Sequence, residues 1–197
     1  MRPLLVVLVA VAGCASEPAA PALDRAALEA GWRTWAAARD SLFRSPETPL
    51  LPDSADAFDG LPYFAYDPAF AGPAALVPSL VRDTVTFPTT TGELQRYVSA
   101  GDLVFEAGGV QRRLEAFETV GGPEPQLFVP FRDATSGRET YGGGRYLTLD
   151  LQPTGRYALD LNRAYHPYCV YNPSYSCPLP PAENTLELAV TAGERYP

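Results

Sequence analysis

The strongest constraint on the fold is a series of short segments, between residues 84 and 190, in which apolar and polar side chains alternate. Alternation with a period of two is typical of β-strands that bury one face. Turn signals separate the segments. One of them, the Gly108-Gly109 pair, suits a two-residue hairpin because both positions of such a turn need a positive φ angle. The pattern predicts eight strands, at residues 84–89, 94–99, 103–107, 110–119, 126–131, 146–151, 157–161 and 186–190.

One helical pattern precedes the strands. Asp24 is a suitable N-cap, and the apolar residues that recur after it at helical spacing are Leu28, Trp32, Trp35 and Leu42. The charged residues predicted to face away from the core are Arg25, Glu29, Arg33 and Arg39. The two tryptophans could form a platform for a sugar, but aromatic residues at helical spacing more often belong to a core. We therefore expect them to pack the helix on a sheet.

Short strands with close turns indicate a mainly β fold. We expect an antiparallel β-sandwich or a barrel-like sheet of about eight strands, with the N-terminal amphipathic helix packed on it. Residues 45–78, rich in proline, aspartate and aromatic residues, are predicted to be an irregular segment over the core with one short strand at most. A chain of 197 residues buries roughly 70 % of its unfolded surface, so a monomer can be stable.

The N-terminus resembles a bacterial lipoprotein signal. A single arginine precedes a run of about ten mostly apolar residues, too short to span a bilayer, and the run ends in Val-Ala-Gly-Cys14. The alternative is an ordinary signal peptide with a chance cysteine. We predict a signal peptide over residues 1–13, lipidation of Cys14, a flexible tether over residues 14–22 and a single β-rich domain over residues 23–197. The membrane would then be a partner through the lipid on Cys14, and the protein would lie in the cell envelope, facing the periplasm or the cell exterior.

Composition excludes several classes of function. The formal net charge of −8 argues against nucleic acid as a partner, because its binding requires basic residues. All 15 basic residues are arginine, so a lysine Schiff base, a pyridoxal phosphate anchor and a phosphate-loop lysine are impossible. His166 is the only histidine, which rules out a zinc site of three histidines and would make it the base of any Ser-His-Asp triad. We expect no cofactor.

The densest group of polar residues lies in the connection over residues 132–145, which reads RDATSGRETYGGGR. Glycines let backbone N–H groups converge on an anion, and arginines bind carboxylates and phosphates through two hydrogen bonds. The alternative is a structural hairpin loop whose arginines pair with the neighbouring acids. Together with two residues that follow a later strand, the candidate ligand-binding residues are Arg132, Asp133, Glu139, Tyr141, Arg145, Asn162 and Tyr165.

Cys169 and Cys177 remain as a pair once Cys14 carries lipid, and such a pair usually oxidises outside the cytoplasm. We predict a disulfide, which closes a ring worth roughly 2.5 kcal/mol on a loop-entropy basis. The rival is a metal site formed with His166, but no Cys-x-x-Cys motif supports it, and we expect no metal.

The segment around these cysteines is rich in tyrosine and asparagine. Its aromatic rings could bind a carbohydrate, or could belong to a covering loop that buries the rings and leaves the hydroxyls in water. Asp160 and Glu183 are the acidic residues nearby, and they would be a glycosidase pair only if their carboxyl groups flanked one cavity.

Four stretches of the chain resemble a known family. They are FRDATSGRETYGGGRYL, LNRAYHPYC, SCPLPPAENTLEL and AGER. These stretches resemble the bacterial and archaeal family catalogued as domain of unknown function 1684, and the resemblance covers nearly the whole mature chain. The resemblance implies little about activity. His166 departs from the family pattern, which more often has Asn there, and this weakens a triad or metal role for His166.

Three hypotheses about function follow from the sequence. The first is a lipid-anchored extracytoplasmic protein that binds a small polar or anionic ligand at the loop of residues 132–145. The second is a metal-independent hydrolase that uses acids near that loop, such as Asp133, Glu139 or Glu183. The third is a structural envelope protein without a small-molecule site. The sequence does not decide whether the protein is an enzyme.

Overall fold

A computed structural model describes residues 24–119 and 126–196. The predicted signal peptide, Cys14 and the tether lie outside the described residues. In the described part, no helix is long and apolar enough to span a membrane.

The chain forms two α-helices and eight β-strands in the described ranges. The helices are α1 (Arg25–Phe43) and the short α2 (Pro52–Ala55). The strands are β1 (Ala71–Pro78), β2 (Thr84–Pro88), β3 (Leu94–Ala107), β4 (Val110–Thr119), β5 (Gln126–Asp133), β6 (Arg145–Asp150), β7 (Arg156–Asp160) and β8 (Thr185–Leu186). Single 3-10 turns occupy Pro68–Phe70, Leu161–Arg163 and Tyr168–Val170.

The strands form one curled sheet in the order β6-β5-β4-β3-β1-β7, with β2 paired to the first part of β3. All of these pairings are antiparallel, while the two-residue strand β8 runs parallel to β5. After the edge strand β7 the chain returns to the other edge, where Tyr165 and Tyr146 of β6 exchange both backbone hydrogen bonds. The result is a half-barrel, which confirms the mainly β, barrel-like prediction with one N-terminal helix.

A β-bulge in β3 gives the sheet two different apolar faces. Ser99 pairs with Phe117 and Gly101 with Ala116, so Ala100 is an extra residue in the strand. The extra residue reverses the alternation, which places Tyr97 and Leu103 on opposite faces although they are six residues apart. Leu103 belongs to the main core, whereas Tyr97 belongs to a second, aromatic cluster.

The aromatic cluster is the second buried layer of the protein. Its buried members are Phe87, Tyr97, Phe117, Phe128 and Tyr146. Phe128 lies between Leu127 and Val129, which both belong to the main core, so the two clusters occupy opposite sides of the same sheet. Val190 and Ala192 of the C-terminal segment belong to the main core, whereas residues 165–178 cover the aromatic side.

Three predictions about the strands need correction. The predicted turn at residues 100–102 is the bulge inside β3, so two predicted strands are one. The segment predicted to be irregular, with one short strand at most, does contain one strand, but this strand is the eight-residue β1, which lies inside the sheet and pairs with both β3 and β7. Pro73 and the small residues around it weaken the alternation there, which is why the strand escapes pattern analysis. The strand predicted at residues 186–190 is reduced to β8. The Gly108-Gly109 hairpin is confirmed, with φ angles of 65° and 72°.

Helix α1 begins as predicted, with the Asp24 carboxylate accepting from the Ala27 N–H at 3.0 Å. Its tryptophans pack on a neighbouring segment: the Trp32 ring lies 5.4 Å from Tyr66, and the Trp35 ring 6.1 Å from Tyr63. Arg39 was predicted to face away from the core, and this is wrong, because only 12 % of its side chain is exposed.

Candidate functional site

Arg145 is a buried structural residue rather than a surface group. Its side chain is fully buried, and Nη2 donates to Asp133 Oδ2 at 2.9 Å and to the Val190 carbonyl at 2.8 Å. Nη1 donates to the carbonyls of Ala192 and Glu194. Burial lowers the pKa of Arg145, and the Asp133 carboxylate opposes that shift. Arg145 thus fastens the C-terminal segment to β5 and β6, and none of its side chain is exposed to solvent.

The connection over residues 132–145 is folded around Asp133 and Thr135. Asp133 Oδ1 accepts from both the backbone N–H and the hydroxyl of Thr135, at 2.8 and 2.6 Å. The Thr135 carbonyl accepts from the N–H groups of Arg138, Glu139 and Thr140. These three N–H groups are used within the loop itself and are therefore not available to an anion.

The other predicted loop residues lie nearer the surface. The Arg132 guanidinium donates to the Pro180 carbonyl at 3.0 Å, and Glu139 is exposed. Tyr141 is half-buried and stacks on Tyr196, with ring centroids 6.4 Å apart. The structure therefore brings Arg145 and Asp133 together in the interior but leaves Arg132, Glu139 and Tyr141 apart from that pair.

Glu194 is the centre of a second buried network. Its carboxylate is fully buried and accepts from Arg39 Nε at 2.5 Å and from the His166 backbone N–H at 2.6 Å. Burial raises the pKa of Glu194, whereas Arg39 lowers it. Burial acts to lower the pKa of Arg39, but the attraction of Glu194 outweighs it and raises that pKa. Glu194 thereby links helix α1 to the last residues of the described chain.

His166 lies fully buried between the two networks. Its Nε2 accepts from the Tyr141 backbone N–H at 3.2 Å. Burial, together with the positive charges of Arg145 and Arg39, lowers the pKa of His166 to about 3, so the ring is neutral at pH 7. Among the described residues, no three His, Cys, Asp or Glu side chains are grouped as metal ligands. The use of Nε2 by the backbone also leaves His166 poorly placed as a catalytic base.

Asn162 and Glu183 do not share a cavity with the loop. The Asn162 side chain donates to the Asp67 carbonyl at 2.9 Å and to Asp160 Oδ1 at 2.8 Å, so it fixes the chain next to β7. Asp160 lines a cavity beneath α1, while Glu183 lines a different surface cavity beside Asp102 and Glu115. The two acids considered as a glycosidase pair are therefore in separate places.

Tyr165 instead lines a pocket on the aromatic side of the sheet, which we call the aromatic pocket. It has a volume of about 320 Å³, and its lining consists of Arg39, Tyr97, Phe128, Tyr146, Tyr165, Pro167, Tyr168, Tyr175, Ser176, Cys177 and Pro178. Helix α1, three strands and the covering segment all contribute to it. Its size lies within the range of small-molecule sites, which are usually apolar with a few polar groups.

Arg39 is the only charged side chain in the lining of the aromatic pocket. Its guanidinium lies 4.7 Å from the centroid of the Tyr165 ring, a cation–π distance. Nε is used by Glu194, whereas Nη2 is buried without a hydrogen-bond partner among the described residues. The guanidinium therefore keeps donor capacity beyond what Glu194 uses.

The tyrosine hydroxyls fix the pocket walls. Tyr97 donates to Gln95 Oε1 at 3.0 Å, Tyr146 donates to the Pro178 carbonyl at 2.5 Å, and the Tyr165 hydroxyl lies 2.7 Å from Thr148 Oγ1. Burial raises the pKa of Tyr97 to about 12, so this phenol is neutral at physiological pH. These bonds hold three rings in place before any ligand arrives, which lowers the entropic cost of binding.

Comparison with known proteins places this chain in a family. The family model described as "Protein of unknown function (DUF1684)" matches residues 56–195. The chain belongs to the DUF1684 family. The family predicted from the sequence is therefore confirmed, although the matched region begins after α1 and so is shorter than the nearly complete mature chain that was expected.

A solved structure of a similar protein supports the fold of this DUF1684 chain. The solution NMR structure of the uncharacterized protein from gene locus rrnAC0354 of Haloarcula marismortui is 38% identical, with a TM-score of 0.70. The alignment covers 87% of this chain and 96% of that one. No curated protein matches the chain.

The two cysteines of this DUF1684 chain lie together at the pocket. The Cys169 N–H donates to Cys177 Sγ at 3.1 Å. Cys177 is buried and lines the aromatic pocket, while Cys169 is half-buried. Their closeness is compatible with the predicted disulfide, which stays a prediction.

Sequence reasoning missed Arg39 and Glu194 as members of the site in this DUF1684 chain. Arg39 follows Trp32 by seven residues and Trp35 by four, so helical spacing already placed it on the tryptophan face. Glu194 lies in an irregular C-terminal segment, and no local signal distinguishes it from an exposed acid. Tyr97, Phe128 and Tyr146 come from three different strands, and only the register of the sheet brings them together.

Proposed function

We propose that this protein is a lipid-anchored, extracytoplasmic binding protein that takes a small aromatic ligand with an anionic or hydrogen-bond-accepting group into the aromatic pocket. The observation that carries this proposal is the lining itself, with five tyrosine rings around a single charge, that of Arg39. The anchoring part rests on the signal-like sequence that ends at Cys14.

The chemistry of the lining sets the ligand class. Aromatic side chains stack on planar rings, and Arg39 supplies a donor at one side of the cavity. Glu194 offsets the charge of Arg39 but uses only its Nε–H group. Because 12% of the Arg39 side chain is exposed and Arg39 lines the pocket, a carboxylate on the ligand would approach a positive charge, whereas an amine would be repelled by it. This site replaces the loop of residues 132–145 as the preferred location, because Asp133 and Arg145, at the two ends of that loop, form a buried ion pair with each other.

The test uses detergent-solubilised full-length protein and three fragment probes of matched size. Benzoate has the ring and the anion, cyclohexanecarboxylate lacks the aromatic ring, and benzylamine reverses the charge. We expect benzoate to raise the melting temperature in a concentration-dependent way in the millimolar range, since fragments bind weakly, and the other two to raise it less. Fluorescence of Trp35, whose ring lies 5.6 Å from the Arg39 guanidinium, provides a second readout.

Two tyrosine variants locate the binding. Tyr175 lines the pocket and is 37% exposed, whereas Tyr196 is outside the lining and 52% exposed. Tyr175→Ala should fold normally and lose the response to benzoate, and Tyr196→Ala should keep it. Equal responses in both variants, or no response of the wild type to any of the three probes, would reject the aromatic pocket as the binding site.

A further inference from the structure

Cys169 and Cys177 are held together by two different elements. Cys169 lies in the 3-10 turn Tyr168–Val170, and Cys177 lies in a segment bonded to the end of β2. The Cys177 carbonyl accepts from the Thr90 N–H at 2.9 Å, and the Cys177 N–H donates to the Thr90 hydroxyl at 3.2 Å. These bonds, and the 3.1 Å contact between the Cys169 N–H and Cys177 Sγ, position the pair without a covalent link.

The surroundings of the two sulfurs are unequal. Cys169 is half-buried, and the side chains of Cys177, Thr90 and Tyr141 lie around its thiol. The hydrogen bond from Cys177 is the largest influence and lowers the pKa of Cys169 to about 7, against the effect of burial. Cys177 is only 6% exposed, and its hydrogen bond to Cys169, followed by burial, raises its pKa. Cys169 is thus the more exposed residue of the pair and the one whose pKa is lowered, while Cys177 is buried.

We infer that Cys169 and Cys177 form a reversible dithiol–disulfide couple that exchanges with external organic disulfides, with Cys169 as the attacking thiol and Cys177 as the resolving thiol. This division of roles requires an accessible nucleophile and a second thiol within reach, which is the arrangement described here. The inference concerns the cysteines alone and does not rest on ligand binding in the aromatic pocket.

The exchange is balanced in two steps. The Cys169 thiolate attacks one sulfur of a disulfide R–S–S–R, so that a Cys169–S–S–R bond forms and one RS⁻ leaves. Cys177 then gives up its proton and attacks Cys169 Sγ, which forms the Cys169–Cys177 bond and releases the second RS⁻. The protein dithiol is oxidised by two electrons, the external disulfide is reduced, and the two thiol protons end on the two RSH products.

The test uses reduced, detergent-solubilised full-length protein with glutathione disulfide as the probe. Mass spectrometry at the peptide level follows each cysteine separately, so Cys14 does not interfere. Wild-type protein should end with the internal disulfide and no bound glutathione. Cys177→Ser should retain one glutathione on Cys169, and Cys169→Ser should react at least tenfold more slowly at Cys177. Reduced glutathione should open the internal bond in the native protein without denaturant.

Two results would overturn the inference. One is an internal disulfide that glutathione or dithiothreitol reduces only after denaturation, which marks a purely structural bond. The other is equal, slow reaction of Cys169 and Cys177 with iodoacetamide in the reduced wild type. This second measurement needs no variant, so it decides the matter even if either serine variant fails to fold.

Discussion

Arg145 and Asp133 form an ion pair of 2.9 Å in which the two side chains are 0% and 1% exposed. A buried pair of this kind contributes little net stability compared with apolar residues, but removal of one partner leaves a charge stranded in the interior. The pair also organises backbone, since Arg145 donates to three carbonyls of the C-terminal segment and Asp133 accepts from Thr135 and Val190. The loop that looked like an anion site in the sequence is thus a clamp between β5, β6 and the end of the chain.

The first prediction concerns this clamp. Arg145→Ala should lower the free energy of unfolding by roughly 3–5 kcal/mol, because it strands the Asp133 carboxylate and three carbonyls. Urea unfolding followed by circular dichroism measures the loss. The matched control is Arg138→Ala in the same loop, where the side chain is exposed and the change should stay within roughly 0.5 kcal/mol. Similar, small effects of the two substitutions would contradict a structural role for Arg145.

The second prediction concerns the run of three glycines at residues 142–144. Gly144 has a φ angle of +98°, and a Cβ there would lie 2.6 Å from the Phe131 carbonyl oxygen, so Gly144→Ala should cost at least roughly 2 kcal/mol. Gly142→Ala provides the control, because its Cβ would meet the Gly137 Cα at 3.6 Å and the Gly137 N at 3.8 Å, both ordinary contacts. Thermal melts of the two variants compare the positions directly. Equal destabilisation would mean that the run serves flexibility rather than one fixed backbone conformation.

The sequence predicted the strands best where alternation was regular and turns were short. The bounds predicted for β4 agree with the structure, and the Gly108-Gly109 hairpin that precedes it has the expected geometry. The prediction of strands failed where one stretch of sequence is compatible with two different structures. The Ala-Gly-Asp stretch at residues 100–102 is typical of a turn, yet within a long strand the same residues make a bulge.

The candidate site was harder to predict from the sequence, because the type of a residue does not show which other residue its side chain contacts. An arginine in a glycine-rich loop can face a ligand or a buried aspartate, and only the positions of β5 and β6 decide that Arg145 meets Asp133. The aromatic pocket combines Arg39 from α1 with Tyr97, whose side of the sheet depends on the bulge. Tyr165 was identified from the sequence, but its neighbours in the pocket come from distant parts of the chain.

The third prediction concerns the membrane anchor and rests on the sequence alone. Cys14→Ser should abolish lipid attachment, since the modified sulfur is lost, and should yield uncleaved or soluble protein without acyl mass. Intact-mass spectrometry and membrane fractionation of the expressed full-length chain provide the measurement, and Cys169→Ser serves as the control that keeps Cys14. A wild-type protein that is cleaved at another position, or that carries an unmodified Cys14, would disprove the lipoprotein interpretation.

The fourth prediction concerns acid stability and His166. The pKa of His166 in the folded protein is lowered from 6.5 to about 3, so between these values the unfolded chain binds a proton that the folded protein does not. Protonation of His166 therefore has no effect on the free energy of unfolding above pH 6.5. Below pH 6.5 it lowers that free energy by roughly 1.4 kcal/mol per pH unit. His166→Asn removes this titrating group, but its shorter side chain does not reach the Tyr141 N–H that His166 Nε2 accepts, so the variant should lose stability by a constant amount at every pH. Glu194 and Asp160, whose pKa values are raised by burial, titrate in both proteins, so the difference between the wild type and the variant isolates His166.

Urea unfolding at pH 7, 6 and 5 measures this difference. By pH 5 the free energy of unfolding of the wild type should have fallen by about 2 kcal/mol more than that of His166→Asn. Parallel curves would show that His166 accepts a proton within the folded protein, which is incompatible with its burial between Arg39 and Arg145.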